Sequence, residues 1–239
     1  MTTFRDASWQ KIQEVRASLD EVIPTATTLR DAAQIFANAF STFDSCVLAR
    51  VFALIPFEQL PNQEQVWARS FAVSHNVTAL LTPRTTILTL FGTAGIERSW
   101  LSREASQGHR AIPLVHEGFI EGAPMISALL GALQIDGVAD ADRRARTMTG
   151  GLNARFFVDD ARTAKNAVGQ HIIASREFVE AYAVKSVFGM GGTYVNGTRV
   201  VAIIFTNEQL TAQEVDRFAS FIGTFKLATT ASVERGRLF

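Results

Sequence analysis

Tyr194-Val195-Asn196-Gly197-Thr198 leads straight into Arg199-Val200-Val201-Ala202-Ile203-Ile204-Phe205. Asn-Gly tolerates positive φ and is the strongest short hairpin signal, so the apolar run is predicted to be a buried strand paired antiparallel with the strand-like residues 184–187. Gly189-Met190-Gly191-Gly192 reads as a glycine-rich bend between the two. Downstream, Thr211-Ala212-Gln213-Glu214 is a capping box, in which hydroxyl and carboxylate each satisfy a free backbone N–H at a helix start. The helix it opens carries Val215, Phe218, Ala219, Ile222 and Phe225 on one face. Upstream, Arg155-Phe156-Phe157-Val158 reads as a further strand, and residues 175–182 as a short helix.

The first half shows the same alternation of periods. Trp9, Ile12, Val15, Leu19 and Val22 are three or four apart, predicting a helix that Pro24 ends. Thr28 can cap a second helix whose stripe is Leu29, Ala32, Ala33, Phe36, Ala39, Phe40 and Phe43. Cys46-Val47-Leu48-Ala49-Arg50-Val51-Phe52-Ala53-Leu54-Ile55 is apolar on both faces except at Arg50, the pattern of a strand covered on both sides. Pro61 and Asn62 open a helix to about Ser74 with Val66, Trp67, Ser70, Phe71 and Val73 on its predicted buried side. Residues 86–91 form a strand closed by a turn between Gly92 and Gly95, and 111–114 a short one. A helix over 116–134 is interrupted at Gly122 and Pro124, and the polar stretch 137–151 reads as an exposed loop.

Composition narrows the function. The 239 residues hold 23 Lys+Arg against 23 Asp+Glu, with 47% hydrophobic residues. That balance leaves no basic footprint for nucleic acid or an anionic membrane. The longest apolar stretch, residues 47–57, carries Arg50 and Pro56 and is too short to span a bilayer. One Cys excludes an internal disulfide, and with no apolar signal core at the start a cytoplasmic location is expected. Gly-x-Ser-x-Gly, Walker A, His-Glu-x-x-His and Gly-x-Gly-x-x-Gly signatures are missing from the sequence, so no enzymatic activity is expected.

Phe156-Phe157-Val158-Asp159-Asp160-Ala161, the run Glu177 to Gly192, Asn196-Gly197 and Val201-Ala202-Ile203-Ile204-Phe205 together resemble GAF sensor domains of bacterial signal-transduction proteins. The likeness covers residues from Arg155 to the last helix; the earlier part matches in the order of its elements. It implies an α+β fold, a central antiparallel sheet of about six strands flanked by helices, with residues 1–26 an N-terminal helical extension and 27–239 the GAF-like domain. It further implies a small-molecule pocket on one face of the sheet and dimerisation through the first and last helices. GAF regions usually precede a kinase, cyclase or transcriptional output module. None is recognisable before Phe239, so the effector is expected to be a separate protein or the chain a fragment of a larger one. Two chemical branches of the family, methionine sulfoxide reduction and covalent bilin attachment, fit poorly with a single Cys46 in the first strand.

Candidate ligand contacts concentrate between residues 96 and 114. Trp100, Arg103, Ser106, His109 and Arg110 put two guanidiniums, an imidazole and an indole within reach of a planar, anionic or aromatic ligand. The alternative is that Arg103 and Arg110 pair with Glu97, Glu104 or Glu117 on a solvated loop. By the resemblance this region faces the sheet, with Met125, Phe157 and Phe188 as the apolar wall, although a plain core role competes for Phe157. His109 and His116, seven apart across Pro113, are where a metal or haem could be held, against an ordinary hydrogen-bonded or surface role. The resulting expectation is a non-enzymatic small-molecule sensor, homodimeric and coupled to a kinase or other signalling protein through its terminal helices. A ligand-free dimerisation or adaptor domain is the alternative.

Overall fold

The structure is a computed structural model that describes residues 2–106, 109–132 and 154–239. The predicted loop 137–151 and the end of the predicted helix 116–134 lie outside the described residues. Six strands form one antiparallel sheet: β1 (Cys46–Pro56), β2 (Thr86–Gly95), β3 (Ala111–Pro113), β4 (Ala154–Val158), β5 (Ser186–Thr193) and β6 (Arg199–Thr206), in the order β3-β2-β1-β6-β5-β4. The helices are α1 (Trp9–Val22), α2 (Leu29–Phe40), α3 (Asn62–Ser74), α4 (Glu117–Glu121), α5 (Pro124–Ala132), α6 (Arg176–Ala181), α7 (Ala212–Asp216) and α8 (Phe221–Glu234). This is the expected α+β architecture, with Asn196-Gly197 turning the β5–β6 hairpin at a Gly197 φ of 85°.

Because side chains alternate along each strand, the sheet has two buried faces with separate clusters. The first face takes Ala49, Val51, Phe188, Met190, Ala202 and Ile204 and is covered by α1, α2 and α8. The second takes Leu48, Phe52, Leu54, Val187, Val201 and Ile203 and is covered by α5 and the segments around α4 and α6. Phe4 is fully buried in the first cluster, 5.3 Å from both Phe188 and Phe218 in edge-on contact, and Ile12 and Leu19 of α1 join it. The expected 1–26 extension is thus part of the core: α1 packs on α8 and α2 of its own chain.

Several predicted details are corrected. Residues 189–192 are not a bend: β5 runs through them, and a Cβ on Gly189 would stand 2.9 Å from Ala202 O and one on Gly192 2.7 Å from Lys226 Cδ. Glycine serves close approach there, not a turn. Likewise β2 continues to Gly95, past a bulge opposite Val51/Phe52, and Gly92 admits the α2 backbone, whose Ala33 O would lie 2.2 Å from a Cβ. The closing helix is two: tight turns (Phe218 N to Val215 O, 3.0 Å; Phe221 N to Phe218 O, 3.1 Å) separate α7 from α8 and bring Phe218, Phe221 and Phe225 into one cluster. On α3 the buried residues are Glu64, Ala68 and Ala72, while Val66 and Val73 are exposed. Trp9, read as part of the apolar stripe of α1, is exposed as well.

Candidate functional site

Register places the polar centre of the molecule on the second face. Arg50 sits between Leu48 and Phe52 on β1, opposite Thr93 on β2 and Ile203 on β6. Its Nη2 donates to the buried Ser106 Oγ at 3.1 Å. Among the described residues the buried Arg50 Nε has no partner, nor has the hydroxyl of the fully buried Thr93. Burial lowers the Arg50 pKa to about 10, which still leaves it charged at neutral pH. The Thr93 backbone is clamped from the other layer: Gln34 Nε2 of α2 donates to Thr93 O at 2.7 Å, and Thr93 N donates to Gln34 Oε1 at 3.2 Å.

The predicted site residues divide into three groups. Trp100 reaches the second face, where its ring lies against Gly95 and packs on Tyr182 (centroids 4.7 Å) and Phe178 (5.8 Å). Met125 is half-buried against the same cluster. Arg103 and Arg110 serve α3 instead. Arg103 Nη1 donates to the buried Glu64 Oε1 at 2.5 Å and its Nε pairs with Glu104 at 3.1 Å, while Arg110 stacks over Trp67 at 4.2 Å. The loop is pinned to α3 by these contacts, and of the Glu partners considered from sequence only Glu104 engages Arg103, beside the unforeseen Glu64. Phe188, and with it Phe157, packs in the first-face cluster, so neither shares a wall with Trp100. Residue parity along β4 and β5 dictates this: Phe156 and Val187 are the ones that point to the second face.

Three of the four histidines, His75, His109 and His116, gather near the outer edge of that face. His116 caps α4, its Nδ1 accepting from Phe119 N at 3.1 Å, and His75 stacks on Phe71 with centroids 4.0 Å apart. His109 takes a left-handed φ of 52° as the chain turns into β3. Desolvation, then the charges of Arg50 and His75, lower its pKa, although the residue as a whole is exposed. Among the described residues no group of three or more His, Cys, Asp or Glu could hold a metal ion. Cys46 is buried in the first-face cluster, and burial pushes its thiol up to about 12, far from the thiolate that nucleophilic chemistry needs.

Arg50, which completes the site, is the residue least developed from sequence, yet a lone charge in a ten-residue apolar run was its signal. Thr93 carries none by itself. No described helix is long and apolar enough to cross a membrane.

Comparison with known proteins adds the fold. No family model matches the sequence, and a search of curated proteins gives no significant match. Among solved structures, the phycocyanobilin-bound GAF domain of a cyanobacterial phytochrome is 10% identical with a TM-score of 0.50, covering 94% of this chain and 96% of that one. The phycoerythrobilin-bound GAF domain of a cyanobacterial phytochrome aligns with the same values. At that identity the likeness concerns architecture alone, and the six-stranded antiparallel sheet with flanking helices is consistent with it: in fold, this chain is a GAF-like domain.

Proposed function

We propose that the chain is a non-enzymatic sensor domain that holds a small molecule on the second face of its sheet and reports occupancy through the helices on the first. Thr93 carries this reading. Its hydroxyl faces Arg50 without a partner, while its backbone is gripped on both polar atoms by Gln34 of α2. A ligand that engages the hydroxyl and shifts β2 therefore pulls on α2, which packs against α1 and α8. Such a device needs only a ligand with different affinity for two packings of those helices. The partner in this reading is a second copy of the chain or a kinase or other signalling protein meeting the terminal helices. The bilins named for the similar structures are not transferred as covalent ligands, because Cys46 is buried on the opposite face.

The test is a thermal-shift screen with acidic and neutral small molecules, followed by hydrogen exchange with the best stabiliser bound. Exchange in α1, α2 and α8 should slow on binding. A stabiliser that leaves all three unchanged would refute the coupling. A screen without any stabiliser would leave the ligand-free adaptor as the better reading.

A further inference from the structure

The second face holds two unsatisfied polar groups side by side, and their chemistry specifies what they fit. A guanidinium has five N–H donors in a fixed fork. Among the described residues the Arg50 fork has one side-chain partner, the neutral Ser106 hydroxyl, and no carboxylate pairs with it. Thr93 lies directly across the β1–β2 ladder with its own hydroxyl unused. Buried charges are normally paired, and a core that keeps one unpaired loses stability for it. Arg50 keeps 8% of its surface in contact with solvent, so it is not sealed off completely.

We propose that Arg50, with Thr93 and Ser106, is the counter-charge for a monoanionic carboxylic acid with an apolar body. The inference rests on the sensor reading and deepens it. A carboxylate offers two coplanar oxygens that match the fork bidentately and can also take the hydroxyl donors. The single charge follows from the other cations nearby. Arg103 is committed to Glu64 and Glu104, Arg110 is stacked on Trp67, and His109 has its pKa lowered, so among these described neighbours none offers Arg50 a free second charge to neutralise a dianion such as a phosphate monoester. The apolar body follows from the neighbours. Phe52 and Ile203 flank Arg50, and Trp100 stands over Gly95, two residues and roughly 7 Å along β2 from Thr93 on the same face. Beyond Trp100 the aromatic wall continues through Tyr182 and Phe178 to Phe205.

Calorimetric titration with octanoate, methyl octanoate and octyl phosphate tests this on the full chain. Octanoate should bind at least roughly tenfold more tightly than its ester, the difference expected for a charge-assisted hydrogen-bonded pair, and more tightly than octyl phosphate. Arg50→Met should bind acid and ester alike. Thr93→Val, which keeps the shape of the site and the charge, should weaken octanoate roughly threefold without affecting the ester. Equal binding of acid and ester by the wild type would overturn the inference while leaving the sensor reading intact. Preference for octyl phosphate would overturn the single-charge assignment, and an acid preference surviving in both variants would overturn the choice of residues. Absence of binding by all three probes would count against the inference and the sensor reading together.

Discussion

The two faces of the sheet are built from the same strands and are both buried, yet they differ in how their polar atoms fare. On the first face Phe4, Phe36, Phe40, Phe188, Phe218 and Phe225 interlock, and the buried Tyr194 hydroxyl meets Thr229 Oγ1 at 2.6 Å. On the second face an arginine and a threonine at the centre of the sheet have atoms without partners. These two lie on the ladder between β1 and β2, the third unpartnered buried atom among the described residues is His171 Nδ1 away from that ladder, and the first-face cluster has none. One face is organised as a core that holds terminal helices against the sheet. The other leaves two buried donors at its centre unpaired among the described residues, which costs stability, and the proposed ligand would pair them.

If the contrast holds, truncation should be costliest on the first face. Phe188→Ala removes a fully buried ring from among Phe4, Phe40 and Phe218 and should lower unfolding free energy by about 4 kcal/mol in urea denaturation. A loss under about 1 kcal/mol would mean that this cluster is loosely packed. Glu64→Ala comes next. It leaves the buried Arg103 with only the exposed Glu104 beside it and also removes the weaker 3.8 Å contact to Arg30, with an expected loss of about 3 kcal/mol. If its stability stayed near wild type, the loop over the second face would not be pinned in the way described. The smallest effect is at the capping box of α7. Thr211→Ala should cost about 1 kcal/mol, with a pH dependence. The Thr211 backbone N–H, then its hydroxyl and the charges of Arg5 and Arg217, hold the Glu214 carboxyl below its ordinary value. That contribution is complete above the ordinary carboxylate range and vanishes as acidification passes the lowered value; the variant lacks its hydroxyl part at neutral pH and lacks the non-titrating bond from Glu214 N at every pH, so the gap to wild type should narrow in acid without closing. Curves that stay parallel at low pH would show that Glu214 is not the group involved.

Much of the first face was legible in the sequence because its rules are local. The stripe of α2, the Asn196-Gly197 turn and the Thr211–Glu214 box need only spacing and propensity, and each stands where predicted. The second face depends on pairings distant in sequence. Glu64 is buried on α3 because Arg103, 39 residues later, neutralises it, and a hydrophobic pattern therefore chose Val66 and Val73 for the inner side instead. Arg50 stood out as a charge in an apolar strand. Its juxtaposition with Thr93, however, needs the bulge that shifts β2 against β1, and nothing local to either strand encodes it. The glycines of β2 and β5 misled for a related reason: Gly92, Gly189 and Gly192 make room for neighbours from remote parts of the chain, which looks the same as a turn when read along one strand.

The central claim, that Arg50 is retained for a ligand and not for the fold, is tested most directly by the unliganded stability of Arg50→Met. Urea denaturation of wild type, Arg50→Met and Glu64→Ala should be compared side by side. Because Arg50 has no counter-charge among the described residues, replacing it by an apolar side chain of similar length should leave the unfolding free energy unchanged or raise it. A loss approaching the roughly 3 kcal/mol expected for Glu64→Ala would show that Arg50 is a structural residue and contradict the account.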